Sequence, residues 1–353
     1  MDNEQIRKLT SDGVSDLHFK VGRPPLQRIH GIMVATDLPK LTEDDMEKLA
    51  RQFLGEKNWK MFEEKHQMES AYSIPGFARF RVAVFRQRQS ISIVMRAIPY
   101  EIPTLDELRA PAIVKKIAEY NRGLVLVTGM TGSGKSSTLA GMVRLMNETY
   151  PYHIVTIEDP IEFLHHDQKC SINQREVGDD AEDFASAFKA SLRQDPDVIL
   201  VGELRDIETM EIALRASETG HLVLSTLHTT DAKETIGRFI DAFPPHQQKQ
   251  IRIQLAANLK AVISQRLLTR ADGNGLVLAA EVMIVTAAVR DIITNPEHMT
   301  DIVELVARGH DQYGTCTFDQ SIMALLEQGL ISKEEALAHA TNPNDFKLRL
   351  SLL

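Results

Sequence analysis

The chain has 353 residues, 43% of them hydrophobic and 25% charged, and its 40 basic and 49 acidic residues leave a formal net charge of −9. That acidic balance argues against a protein that grips nucleic acid by broad phosphate neutralisation. Its two scattered cysteines, Cys170 and Cys316, make neither a disulfide framework nor a zinc ribbon and suit a reducing, cytoplasmic compartment. No apolar run reaches about 18 residues and the start is polar from Asp2 to Lys8, so only peripheral membrane contact is expected. The length suits about two domains.

Residues up to about Tyr100 read as a small α+β module. A short helix is expected over Glu4–Ser11, a strand over Ser15–Val21, and a hairpin in which 26–30 and 32–35 flank Gly31. A helix over Glu43–Leu54 places Met46, Leu49, Ala50 and Phe53 at helical spacing. Two alternating strands follow, 79–85 and 90–96. In the first, Phe80, Val82 and Val84 share one face, and Arg79, Arg81, Ala83 and Phe85 share the other. Arginines on a strand face usually mean a solvated, ion-paired surface; the alternative is service to a nucleotide held by another domain or subunit. The prolines in 98–103 favour an extended path and mark a linker.

The second part opens with an expected helix over Leu105–Asn121, ended by Gly123. The apolar run 124–127 then leads into Gly129-Met130-Thr131-Gly132-Ser133-Gly134-Lys135-Ser136, and a helical pattern opens at Ser137. Strand, glycine-rich turn and helix is the context a phosphate-binding loop requires. Glycines let the backbone curl and aim successive N–H groups at a phosphate chain held at the positive end of a helix. The candidate nucleotide-binding residues are therefore Gly129, Thr131, Gly132, Ser133, Gly134, Lys135, Ser136 and Ser137. Lys135 would reach the β- and γ-phosphates of ATP, and the Ser136 hydroxyl would hold Mg²⁺.

A β-branched strand over 153–157 runs into Glu158-Asp159-Pro160-Ile161-Glu162. Acids at such a strand-to-loop corner lie where open α/β sheets bind ligands. One suits the general base that orients water, and another suits the metal; the plainer reading is a solvated acidic turn. The strand 198–201 with Gly202-Glu203 resembles a Walker B strand carrying glutamate, which would meet Mg²⁺ through water. A third core strand, 221–228, has a histidine at each end. Their odd separation points the rings to opposite faces and weakens a shared-metal reading. His228 falls on the ligand side and suits a γ-phosphate sensor, whereas His221 at the other end reads as structural. Phe243-Pro244-Pro245 is expected to start a long helix, His246–Leu268, with Ile251, Leu255, Leu259, Val262 and Ile263 inward. A strand over Leu276–Val285 and further helices complete the chain, and 289–293, 302–306 and 322–326 read as ordinary buried faces.

With these residues in order, the chain resembles the type IV pilus retraction ATPases, the PilT/PilU family of secretion-type motor ATPases, nearly end to end. Ser15-Asp16-Leu17-His18 and Arg79-Phe80-Arg81-Val82 belong to that likeness. Its most specific part is four boxes in sequence: Walker A (129–136), the aspartate box (156–163), the Walker B-like box (195–206) and the histidine box (219–230). The resemblance implies an α/β protein with a PAS-like domain over 1–100 and a RecA-like motor domain over 101–353, helical towards its C-terminus. It implies a homo-hexameric ring that hydrolyses ATP with Mg²⁺ on the cytoplasmic face of the inner membrane. There it would meet a PilC-like pilus platform protein and other pilus motor ATPases, with no nucleic acid among its partners. The roles it implies are Glu162 as catalytic base, Glu203 as Walker B acid with Glu158 and Ser136 at the metal, and His228 with His221 as the histidine box. Arg79, Arg81 and Arg96 would serve nucleotide at a subunit interface. Two departures set an accessory, PilU-like motor beside the main one. The retraction motif Ala-Ile-Arg-Asn-Leu-Ile-Arg-Glu reads here Ala287-Ala288-Val289-Arg290-Asp291-Ile292-Ile293-Thr294, and 342–345, Asn-Pro-Asn-Asp, looks more like PilU. The four-cysteine insertion of the extension motors is absent. Readings of another class are a nucleic-acid translocase on the same core, or a nucleotide-binding regulator that barely hydrolyses.

Overall fold

Alternation of apolar and polar residues builds the N-terminal unit. In the computed structural model, which describes residues 2–10, 14–29, 31–98 and 101–351, the elements here are α1 (Asn3–Leu9), β1 (Val14–Lys20), β2 (Leu26–Ile29), β3 (Ile32–Ala35), α2 (Glu43–Lys65), β4 (Gln67–Ile74), β5 (Ala78–Gln87) and β6 (Ser90–Ile98). The six strands form one antiparallel sheet in the order β3-β2-β1-β6-β5-β4. Phe80, Val82 and Val84 pack with Leu17, Phe19 and Met95 against Met46, Leu49 and Phe53 of α2. The expected helix over 43–54 runs on past Gly55, whose backbone (φ 68, ψ 171) is not helical. Its second half buries Trp59 and Phe62, and β4 pairs along β5 where no strand was expected. Ser11, His30, Pro99 and Tyr100, which fall in the expected first helix, hairpin and linker, lie outside the described residues. This unit comprises Met1–Glu101 together with Glu162–Leu164; the rest of the chain forms a second one.

The second unit is a sheet ordered β13-β12-β7-β11-β10-β8-β9. Its elements begin with α3 (Ile113–Ala118), β7 (Gly123–Thr128), α4 (Lys135–Thr149), β8 (His153–Glu158) and β9 (Ser171–Glu176). They continue with α5 (Phe184–Ser191), β10 (Val198–Val201), α6 (Ile207–Glu218), β11 (Leu222–Leu227), α7 (Ala232–Asp241), α8 (Pro245–Asn258), β12 (Leu259–Thr269) and β13 (Leu276–Ile284). Every strand pair is parallel except β12 with β13. β7, β10 and β11 are near-continuous apolar runs because helices cover both faces of the sheet. Leu126, Ile199 and Val223 pack on one side with Phe188 and Phe239, and Val125, Leu200 and Leu224 on the other with Met142 and Met146.

Two expected helices are corrected. Of the helix read over 105–121, only Ile113–Ala118 is α-helical. Pro111 cannot donate to a helix ladder, and Thr104 with Glu107 closes a separate turn, each backbone N–H donating to the other's side chain at 2.7 and 3.1 Å. Gly123 starts β7 instead of stopping a helix; its φ is 112, and a Cβ there would stand 2.9 Å from the Asn258 carbonyl. The helix read over 246–268 breaks after Asn258 and continues as β12. Leu259, Val262 and Ile263 fit a helical period, but the slot between β7 and β13 buries most of this segment. Pairing there satisfies the backbone of an apolar, β-branched run, and tertiary context overrides local periodicity.

The remaining helices are α9 (Ala287–Thr294), a 3₁₀ turn (Pro296–Asp301), α10 (Ile302–Arg308), α11 (His310–Tyr313), α12 (Phe318–Glu327), α13 (Lys333–His339) and α14 (Pro343–Leu350). Val289, Ile293, Ile302 and Val306 join the main core, and Phe318, Ile322 and Leu325 bury against Leu268 and Val277. Among the described residues no helix is long and apolar enough to cross a membrane.

Among the described residues, two acids of this unit are buried, Glu176 and Glu281. Glu281 of β13 is pushed up to about 7, chiefly by burial, with Asp231 and Asp319 adding to the rise and the Ala232 N–H and Arg266 opposing it. A carboxyl raised in the native state contributes stability that is present below its ordinary range and lost as pH rises through the native value. Melting temperature should therefore fall as pH rises from about 4.5 to 7 in the parent chain by a component that Glu281→Gln lacks; identical pH profiles would contradict this.

Candidate active site

Four parallel strands deliver the site. β7, β11, β10 and β8 lie side by side in register, with Thr128 opposite Leu227, Ser225 opposite Val201, and Val201 opposite Ile157. Their C-terminal ends therefore present, in order along one edge, the glycine-rich loop, His228, Glu203 and Glu158.

The loop has little freedom to be anything else. Gly129, Gly132 and Gly134 have φ of 141, 81 and 90, a region that L side chains rarely adopt. A Cβ on Gly129 would lie 2.4 Å from Ser133 Oγ and 2.6 Å from the Gln265 carbonyl. Beneath the loop, β12 holds the strand: Thr128 Oγ1 donates to Ser264 Oγ at 2.9 Å, and Gln265 Nε2 donates to Thr138 Oγ1 at 2.6 Å. Lys135 opens the 15-residue α4 and is 9% exposed. Its ammonium lies back over the loop, donating to the Gly129 carbonyl at 2.8 Å and the Met130 carbonyl at 3.0 Å. Two buried polar atoms beside it, Ser133 Oγ and Gln265 Oε1, have no hydrogen-bond partner. A buried ammonium, an unpaired buried hydroxyl, the half-buried Ser136 and the amide end of a helix together fit a polyphosphate with its Mg²⁺.

The acidic corner is held from both sides. Gly202 N–H donates to the Ile157 carbonyl of β8 at 2.8 Å, and its carbonyl accepts from Thr226 Oγ1 of β11 at 2.6 Å. Glu203 is thereby fixed between β8 and β11. Its Oε2 accepts from Arg205 Nε at 2.7 Å, and its Oε1 lies 3.4 Å from His228 Nε2. Arg205 also reaches Asp159 at 3.7 Å. Glu158 accepts from Thr156 Oγ1 at 2.6 Å and from Gln174 Nε2 at 3.2 Å. Glu162 is exposed, one residue beyond the buried Ile161.

His221 is not brought to this edge. It precedes β11 at the opposite end of the sheet, about 20 Å of extended strand away, where Nδ1 lies 3.0 Å from the Ala216 carbonyl and 3.1 Å from Thr219 Oγ1. Within one chain the two histidines do not form a pair. Arg79, Arg81 and Arg96 lie on the outer face of the N-terminal sheet, Arg81 directly across from Arg96 and Arg96 across from Asp16. Arg81 donates to Glu69 at 2.6 Å, and Arg96 to Asp16 at 2.7 Å with Arg28 at 3.9 Å from the same acid. Burial would raise the Asp16 carboxyl, but its hydrogen bonds to Ser15 and Arg96 outweigh that and hold it below the usual range. Burial, with Arg28 and Arg96 nearby, lowers His18. Sequence reasoning missed Arg205, Ser264 and Gln265. The signal for the last two was the run 261–263 in a strand slot; Arg205 had only its place two residues beyond Glu203.

Comparison with known proteins agrees with this geometry. Residues 71–300 match the family model for type II/IV secretion system proteins. The chain is 43% identical over 334 residues to the type IV pilus retraction ATPase PilT of Pseudomonas aeruginosa, covering 95% of this chain and 96% of the relative. It is 40% identical over 347 residues to the type IV pilus ATPase PilU of the same organism, covering 98% and 90%. A crystal structure of the pilus retraction motor PilT with bound ADP superposes with a TM-score of 0.90 at 44% identity over 98% of each chain.

Because the Gly129 site admits no side chain, Gly129→Ala must shift either Ser133 or the β12 backbone. ATP affinity, read by equilibrium binding, should fall by about tenfold or more, since 1.4 kcal/mol suffices for that factor and forced left-handed backbone alone costs about 1–2 kcal/mol. Wild-type affinity in a folded Gly129→Ala protein would refute the cradle.

Proposed function

The chain belongs to the type II/IV secretion system protein family, in its pilus retraction branch, and on that footing we propose that it is a ring-forming ATPase motor driving type IV pilus disassembly and twitching. The observation that carries this reading is the phosphate loop, with Lys135 folded onto it, on the same sheet edge as the Glu203–His228 pair. We place the ring, a homo-hexamer, on the cytoplasmic face of the inner membrane against a PilC-like platform protein. The two pilus relatives lie so close in identity, 43% and 40%, that a main and an accessory motor both fit. The departures in α9, where Asp291 and Thr294 replace motif residues, favour the accessory one.

Mg²⁺, when bound, would supply charge neutralisation for the terminal phosphoryl group as it leaves. The loop amides and the α4 terminus orient the phosphates, and the Lys135 ammonium exchanges the Gly129 and Met130 carbonyls for phosphate oxygens. Ser136, Glu203 and Glu158 would hold the metal, Glu203 through water. Glu162, exposed and free to approach water, takes the proton of the attacking molecule. His228 leaves Glu203 for the γ-phosphate and reports its presence. Arg79, Arg81 and Arg96, presented in a row, stabilise charge on the nucleotide of a neighbouring subunit.

Steady-state turnover with oligomer mass is the first test, and retraction in cells is the second. Lys135→Ala should abolish turnover, and Glu162→Ala should retain nucleotide while stopping hydrolysis; turnover surviving in both would remove the proposal. Arg81→Ala and Arg96→Ala rings should lose about 10³-fold in rate, near 4 kcal/mol of barrier. Unchanged turnover would leave these arginines as a solvated ion-paired face.

A further inference from the structure

His228 is the first residue of a short segment whose far end is pinned by an acid no motif contains. The segment leaves β11 after Leu227 and reaches α7 at Ala232. Its middle is closed by hydroxyl contacts: Thr229 Oγ1 lies 2.7 Å from Thr235 Oγ1, which donates to the Asp231 carbonyl at 2.6 Å. Its end is held from β13, where Glu281 Oε1 accepts the Ala232 N–H at 2.9 Å. Glu281 is 7% exposed and stands opposite Ser264 of β12, the residue that bonds Thr128 under the phosphate loop. A buried carboxyl oxygen accepting the first N–H of a helix ties that terminus down, and the bond strengthens when the group is ionised.

The other charges around it are otherwise engaged. Asp231 accepts from Glu234 N–H at the α7 cap, and Asp319 of α12 accepts from Thr341 N–H. Arg266 of β12 donates to the His339 carbonyl and stacks on Phe318 at 3.8 Å. Glu281 thus has the α7 terminus as its one hydrogen-bonded partner among the described residues.

We propose that Glu281 is a positioning residue for His228: by anchoring the start of α7 to β13 it fixes the 228–231 segment and so holds the imidazole at Glu203. The inference rests on the role given to His228 above. Removing the anchor frees the segment on the α7 side while β11 still holds the other, so His228 is misplaced without loss of the phosphate loop.

The test uses the full-length ring and three variants, Glu281→Ala, Glu281→Gln and His228→Ala, with the double variant. Glu281→Ala should lower kcat by about tenfold with little change in KM for ATP, and Glu281→Gln, which keeps an acceptor for Ala232, should restore most of it. Adding Glu281→Ala to His228→Ala should cost nothing further if the acid acts through the histidine. Full additivity, or wild-type kcat in a folded Glu281→Ala ring, would overturn the proposal. Amide hydrogen exchange across 229–235 reads the anchor without turnover. Faster exchange in the alanine variant, reversed in the glutamine one, supports it, and unchanged exchange overturns it. An inert His228→Ala with intact exchange effects would instead remove the histidine's assigned role and leave the anchor standing.

Discussion

Everything in the motor unit turns on the close approach between the bend after β7 and the backbone of β12. The Gly129 site and the Gln265 carbonyl come nearer than any side chain allows, so the chain can pass only as glycine. That contact aims the following amides at the space above α4 and sets Lys135 over it. It also explains why β12 must be a strand: a helix there would take away both the floor of the loop and the Ser264 hydroxyl under Thr128.

The acidic side of the site is arranged around charge compensation. Glu203 has one oxygen on the Arg205 guanidinium and the other beside the His228 ring, while Glu158 accepts from Thr156 and Gln174. On the proposed reading a metal arriving at Glu203 would have to compete with Arg205, an always-charged, bidentate-capable partner. The backbone bonds at Gly202 hold this corner to its neighbours on either side, so Glu203 and His228 share one frame.

The N-terminal sheet shows how one face serves two readings. Its arginines are drawn into a row by strand register and held there by Asp16 and Glu69. Within a single chain that is an ion-paired face, in which the exposed Arg81–Glu69 pair contributes little to stability while Asp16 is buried beneath Arg96. On the proposed reading the arginines' value would lie in presentation, since guanidinium groups fixed by register suit phosphate on a neighbouring subunit.

The sequence by itself determined the phosphate loop, the strand before it, the acids at 158 and 203, His228 and the alternating faces of β5. Each is written in local pattern: glycine spacing, apolar runs and period-two alternation act over a few residues. The tertiary structure alone decided that 259–269 is a strand, because its helical spacing loses to a sheet slot that needs its backbone bonds. The separation of His221 from His228, by contrast, was already legible in their places at the two ends of one strand. Arg205 on Glu203, Gln265 beneath Gly129 and Glu281 at the start of α7 were invisible beforehand. The physical reason is the same for all three: the last two pairs join positions far apart in the chain, the first depends on how a corner is folded, and pairing across such gaps follows from packing and carries no local signature.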